Sequence, residues 1–142
     1  MVAAEFQNKN PFSLVVTGEA ETWLPALEMI VGPQWLTIHK VSGEKQLLKV
    51  VESGLADAAV LDDASDWTVD VLRLLRMIRR FNQVFPVVVI SSHSDRRWLE
   101  DALRLAVFSV VVRPLELEEL LRQIQRMMAR LDRILRQGDP DP

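Results

Sequence analysis

The chain contains no cysteine, which excludes disulfides, thiolate metal sites and cysteine nucleophiles together. Its five glycines never gather into the loop that cradles a nucleotide phosphate, and no acid–base pair or metal-ligand cluster is apparent. A basic excess is missing too. The 17 Lys and Arg are outnumbered by 20 Asp and Glu, so the formal net charge of −3 gives no electrostatic case for nucleic-acid binding. No apolar stretch approaches membrane-spanning length, and Met1–Pro11 lacks the apolar run of a signal peptide. A cytoplasmic location without membrane attachment is the expectation. His39 and His93 stand alone, with neither ligand nor triad spacing. Internal repeats and low-complexity segments are also lacking.

What remains is an ordinary globular composition, 49% hydrophobic and 26% charged over 142 residues, which suits one domain with a real core. The polar ends, 1–10 and 138–142, read as flexible tails around a domain at 11–137. Within it, short β-branched runs alternate with stretches of helical period. The runs are Phe12–Val16, Trp35–Val41, Ala58–Leu61, Pro86–Ile90 and Phe108–Val112. The helical stretches are Glu19–Ile30, a second from Gly43 or Glu44 to Glu52, Val69–Phe81, Asp95–Ala106 and a long final one at about 116–137. Pro25 falls near a first turn, Ser42 reads as an N-cap, and Gly54 as a helix stop. Strands that alternate strictly with helices predict an α/β fold, a doubly wound five-stranded parallel sheet covered on both faces. Right-handed crossovers at this length favour the flavodoxin-like order 2-1-3-4-5, here with an extended C-terminal helix.

In such a sheet, ligands bind beyond the carboxyl ends of the strands, where the strand order reverses. That rule selects Thr17-Gly18-Glu19, Asp62-Asp63, Ser91-Ser92 and Arg113-Pro114. An acid, hydroxyls and a guanidinium would converge on one pocket. Each also has a plain reading: Asp62 as a loop or cap acid, Ser91 and Ser92 as caps, Arg113 as a surface cation. Asp63 is an alternative to Asp62.

At these positions the chain resembles the receiver domain of response regulators. Asp57-Ala-Ala-Val-Leu-Asp62 looks like the stretch leading into the phospho-accepting aspartate. Pro86-Val-Val-Val-Ile-Ser-Ser is similar to the fourth strand with its terminal hydroxyl at Ser91. Ala102–Pro114 follows the fourth helix and fifth strand into a basic-Pro pair, and Leu115-Glu-Leu-Glu-Glu-Leu-Leu continues as the last helix does. The resemblance covers about residues 12 to 128. It implies that Asp62 takes a phosphoryl group from a histidine kinase with Mg²⁺ bound, and that Ser91 and the cation at 113 sense the phosphoryl oxygens.

The chain departs from that pattern at several points. Thr17 and Gly18 stand where an acidic pair is expected, leaving Glu19 to join Asp62 as a metal ligand. Arg113 replaces a lysine, Val110 an aromatic residue, and the usual Pro and Gly are missing from 63–70. Loss of the acidic pair removes oxygen ligands that a hard cation needs. Arg113 can clamp Asp62 bidentately and hold the site in one state. The expectation is a non-enzymatic pseudo-receiver that signals through protein–protein contact, with phosphorylation impaired or absent and no required cofactor. The alternative is a competent phosphorelay receiver using Asp62 and Mg²⁺, and a third reading is a small-molecule enzyme on the same fold.

Partners are expected to be a histidine kinase or another signalling protein. Leu117, Leu120, Ile124, Met127, Leu131 and Ile134 recur at spacings of three and four, widened by Leu121, Met128 and Leu135. This stripe predicts a homodimer or a docked helix along the last helix. Trp98 reads as packing or as part of a partner surface, and Arg73, Arg76, Arg79 and Arg80 as a solvated helix face.

Overall fold

The computed structural model of the chain describes residues 12–17, 23–64 and 70–137, with the backbone alone for 33 and 132–137. The expected tails, Gly18, Glu19 and the side chain of Ile134 lie outside the described residues.

The apolar runs that read as strands form β1 (Phe12–Val16), β2 (Leu36–Lys40), β3 (Ala58–Asp62), β4 (Val87–Ser91) and β5 (Ser109–Val112). All pair in parallel, in the order β2-β1-β3-β4-β5, with β1 between β2 and β3 as predicted. Period-two alternation sorts their side chains into two layers. Leu14, Val16, Val60, Val88 and Ile90 face one layer, and Val15, Leu61, Val87 and Val89 face the other. Every residue of β3 and β4 is buried, which is why these runs have no polar face. The run at 108–112 behaves differently. β5 is a sheet edge, so only Val111 of the strand is buried and the rest are half-covered.

The helices are α1 (Leu24–Val31), α2 (Glu44–Ser53), α3 (Val71–Phe81), α4 (Arg96–Arg104) and α5 (Leu117–Gln137). Among the described residues none is long and apolar enough to cross a membrane. Pro25 falls in the first turn of α1, where no intrahelical N–H is lost. Asp70 and Asp95 cap α3 and α4 by accepting the backbone N–H of Arg73 and Trp98. Gly54 ends α2 with a φ of 77°, a conformation that glycine adopts without a Cβ penalty. Ser42 is not the N-cap of α2. That position belongs to Gly43, and the Ser42 N–H and hydroxyl both contact Gln46 Oε1, at 3.1 and 3.3 Å.

Two further expectations are corrected. Leu120, Ile124 and Met127 are fully buried in the chain's own core, with Leu121 and Met128 beside them. They pack on the layer that holds Leu14, Val88 and Ile90, and Leu131 is half-buried against it. The wide stripe on α5 is what a helix lying on a sheet needs, so three of the six expected seam residues, Leu120, Ile124 and Met127, are core. Among the stripe members whose side chains are described, Leu117 is the most exposed, at 38%.

Arg79 is likewise not part of a solvated face. Its guanidinium donates to the carbonyls of Leu105 at 2.7 Å, Phe85 at 2.7 Å, Ala106 at 3.0 Å and Asn82 at 3.2 Å. It ties the end of α3 to the turns entering β4 and β5. Ala106 has a left-handed φ of 59°, and Arg79 holds its carbonyl in that unfavourable conformation. Burial pushes the Arg79 pKa down from its ordinary value.

Candidate functional site

The carboxyl ends of β1, β3, β4 and β5 bring Thr17, Asp62, Asp63, Ser91, Ser92 and Arg113 together. Thr17 follows β1, and its buried hydroxyl oxygen accepts the backbone N–H of Asp62 at 2.8 Å. This contact fixes the end of β3 against β1. Asp62 is itself 2% exposed. Its Oδ1 accepts the N–H of Ala64 at 2.9 Å, which closes a short turn.

Arg113 approaches from β5. Its Nη2 lies 2.7 and 2.8 Å from the two carboxylate oxygens of Asp62, while Nη1 reaches Asp63 Oδ1 at 3.2 Å. The expected clamp on Asp62 is therefore present in altered form. A single nitrogen bridges both Asp62 oxygens, and the second nitrogen serves the neighbouring acid. Charge-assisted contacts of this length between poorly solvated groups are strong, and losing one partner strands the other.

Asp63 completes the arrangement. Its backbone N–H donates to the Ile90 carbonyl at 3.0 Å, so the chain turns over the end of β4. Its Oδ2 then accepts the Ser91 hydroxyl at 2.8 Å and the Ser92 N–H at 3.0 Å. Ser91 Oγ in turn accepts the His93 N–H at 2.9 Å. Ser91 thus caps the following segment and joins the acidic pair as well. Ser92 takes part through its backbone, and its side chain is exposed.

Sequence reasoning kept Asp63 as an alternative to Asp62, whereas the two acids have different tasks. Asp62 pairs with the arginine inside the sheet end, and Asp63 links that arginine to β4. Adjacent letters conceal this, because the turn after β3 decides where each carboxylate goes. Trp98 lies apart from this network. It is half-buried against the second core layer, and the His93 ring stacks on it at 5.2 Å between centroids.

The described residues do not fit a Mg²⁺ ion. Mg²⁺ keeps several waters in near-octahedral geometry and is held through one or two carboxylates, which must have oxygens available to face it. Among the described residues no group of three or more His, Asp or Glu is placed to hold a metal. The two carboxylates at this end of the sheet, Asp62 and Asp63, are already bound by Arg113. Glu19, the other expected ligand, lies outside the described residues.

No protein-family model matches the sequence, and no curated protein matches it. Solved structures do. A two-component response regulator from Clostridium difficile superposes with a TM-score of 0.66 at 17% identity, over 84% of this chain and 98% of that one. A CheY-like receiver domain protein from Methanospirillum hungatei gives 0.68 at 11% identity, over 87% and 98%. The beryllofluoride-activated NtrC receiver domain gives 0.65 at 20% identity, over 86% and 97%. The chain has the fold of response-regulator receiver domains.

Proposed function

We propose that this chain is a receiver-like signalling module that acts through protein–protein contact, with phosphorylation of Asp62 impaired or absent. One observation carries the reading. A single Arg113 nitrogen lies within hydrogen-bond distance of both Asp62 oxygens, on a side chain that is only 3% exposed. A carboxylate nucleophile must present an oxygen lone pair to phosphorus, with cationic help for the incoming charge. Here the cation is spent on the nucleophile itself, and Thr17 supplies a hydroxyl where a metal would need a carboxylate.

The module has no enzymatic turnover of its own in this reading. Its partner is a histidine kinase or another signalling protein that reads the surface of α4 and α5. Intact-mass measurement after treatment with acetyl phosphate and Mg²⁺ tests the proposal. The expected spectrum shows no adduct. A phosphoryl adduct that disappears in Asp62→Asn overturns the proposal and establishes a competent phosphoacceptor instead.

A further inference from the structure

Seven large apolar side chains stay exposed among the described residues, and six of them share one end of the molecule. Met29 and Ile30 lie in the last turn of α1, Phe81 and Leu103 in the last turns of α3 and α4, and Leu55 and Val84 in the turns after α2 and α3. A helix that joins two parallel strands runs against them, so its end lies at the amino edge of the sheet. That edge is opposite the candidate site. Leu55, Phe81, Val84 and Leu103 belong to the layer of α2, α3 and α4, and they are from 48% to 83% exposed. Arg79 ties this edge together, because it holds the carbonyls of Asn82 and Phe85 after α3 and of Leu105 and Ala106 after α4.

The same edge is cationic. α3 carries Arg73, Arg76, Arg79 and Arg80 and no acid. Arg73 pairs with Glu44 at 2.7 Å, and Arg79 is engaged by the four carbonyls. Arg76 and Arg80 are exposed one helical turn apart, and neither has a hydrogen-bond or ion-pair partner among the described residues. Exposed apolar side chains beside unpaired cations mark an interaction surface rather than a solvated face.

We propose that the amino edge at the ends of α3 and α4 docks an acidic amphipathic segment of a partner protein, whose carboxylates meet Arg76 and Arg80 while its apolar side chains cover Phe81, Val84 and Leu103. Charge complementarity selects the occupant: two cations one turn apart match two acids at the same spacing on a helix. Exposed ion pairs contribute little affinity by themselves, so the apolar side chains hold the segment and the arginines choose its sign. A flat lipid surface suits this edge less well. Arg130 of α5 lies 5.9 Å from the centroid of the Phe108 ring, just before β5 and so level with the amino edge. From there α5 continues to Gln137, about 10 Å further at the α-helical rise. A bilayer meets that projection first, whereas a partner segment binds beside it. The surface is independent of Asp62, which lies at the other end of its strand, and it goes beyond the proposed signalling contact on α4 and α5.

The experiment measures fluorescence anisotropy of a fluorescein-labelled synthetic peptide that repeats Leu-Leu-Glu-Glu, titrated with the full chain. Saturable binding is expected. Peptides that repeat Ser-Ser-Glu-Glu or Leu-Leu-Lys-Lys should bind at least about tenfold more weakly. Arg80→Glu should weaken binding of the Leu-Leu-Glu-Glu peptide by about tenfold. Lys45→Glu, the same change of charge in the first turn of α2 at the opposite end, should weaken it by less than about twofold. Val84→Ser should weaken it by about fivefold. All three side chains are exposed, so the variants should melt as the parent does. Lack of saturable binding by the parent overturns the proposal, as does equal binding of the Ser-Ser-Glu-Glu peptide or equal loss in Arg80→Glu and Lys45→Glu. Cosedimentation with vesicles of phosphatidylcholine containing about one-quarter phosphatidylglycerol is the last arm. The parent should stay in the supernatant; pelleting that Arg80→Glu abolishes would assign the edge to lipid and overturn protein docking.

Discussion

Arg113 and Asp62 meet through one nitrogen and two oxygens, at 2.7 and 2.8 Å, with the carboxylate almost wholly out of contact with water. The other guanidinium nitrogen is thereby free to hold Asp63 at 3.2 Å. One cation thus joins β5 to the turn after β3, and through Asp63 to the end of β4. A lysine at this position would bring a single ammonium, which lacks the planar fork that spans two acids.

Removing the cation should therefore cost stability. Arg113→Ala leaves the Asp62 carboxylate buried with its cation gone, and breaking such a pair costs about 3 kcal/mol. Arg113→Lys should lose less than half as much. Urea denaturation of the three proteins measures the difference. An alanine variant within about 0.5 kcal/mol of the parent would mean that the pair contributes no more than an exposed one.

Arg79 supports the opposite end of the sheet. Its four carbonyl acceptors lie in the turns entering β4 and β5. Hydrogen bonds to a charged group are individually worth more than neutral ones, but surface carbonyls regain water when released. Arg79→Met should destabilise the fold by about 2 kcal/mol and speed amide exchange at 82–85 and 105–107. Arg79→Lys should recover little, because one ammonium cannot span four carbonyls. Equal exchange in Arg79→Met and the parent would refute this role.

That arginine marks the boundary of what the sequence made legible. The sheet order followed from five apolar runs separated by helical stretches, since each run required cover. The four strand ends of the site followed from topology. Arg79 did not, because its partners are backbone carbonyls, which have no letter in a sequence. The partial cover of β5 was harder to read: Val110 and Val112 look as apolar as Val88 and Ile90, although the predicted order 2-1-3-4-5 already puts that strand at an edge. On α5, spacings of three and four suit a coiled coil and a core helix alike. Leu121 and Met128 were the distinguishing sign, since they widen the stripe beyond a two-residue seam.

Ile124 is 0% exposed and Leu117 is 38% exposed on the same helix. Ile124→Ala should cost about 3 kcal/mol, combining lost burial with a cavity. Leu117→Ala should cost under about 1 kcal/mol. Urea unfolding at two protein concentrations separates core from seam. If Ile124 were buried by a second copy, the midpoint of the parent would rise with concentration, and here it should not.

The last prediction concerns the missing acid at the end of β1. Thr17 Oγ1 sits 2.8 Å from the Asp62 amide nitrogen, so a carboxylate at position 17 falls against the backbone of Asp62. Thr17→Asp keeps an acceptor for that N–H and adds the hard oxygens that Mg²⁺ requires. Three acids would then face one arginine. Without metal, the added like charge should lower the melting temperature, because a buried carboxylate with no cation to itself is costly. With metal, the deficit becomes a binding site. At a Mg²⁺ concentration about 100 times Kd, the folded state gains about 2.7 kcal/mol, or roughly 8 °C for a domain of this size. The melting temperature of the parent should not move over the same titration, since Asp62 and Asp63 are already engaged by Arg113. Combining Thr17→Asp with Arg113→Lys should enlarge the response, because a single ammonium competes less fully for the two acids. Thermal melts with Mg²⁺, using Na⁺ at matched ionic strength as the control, decide the matter. A parent protein that Mg²⁺ stabilises as strongly as Thr17→Asp would show that the existing oxygens suffice, and would return Asp62 to the role of a metal-assisted phosphoacceptor.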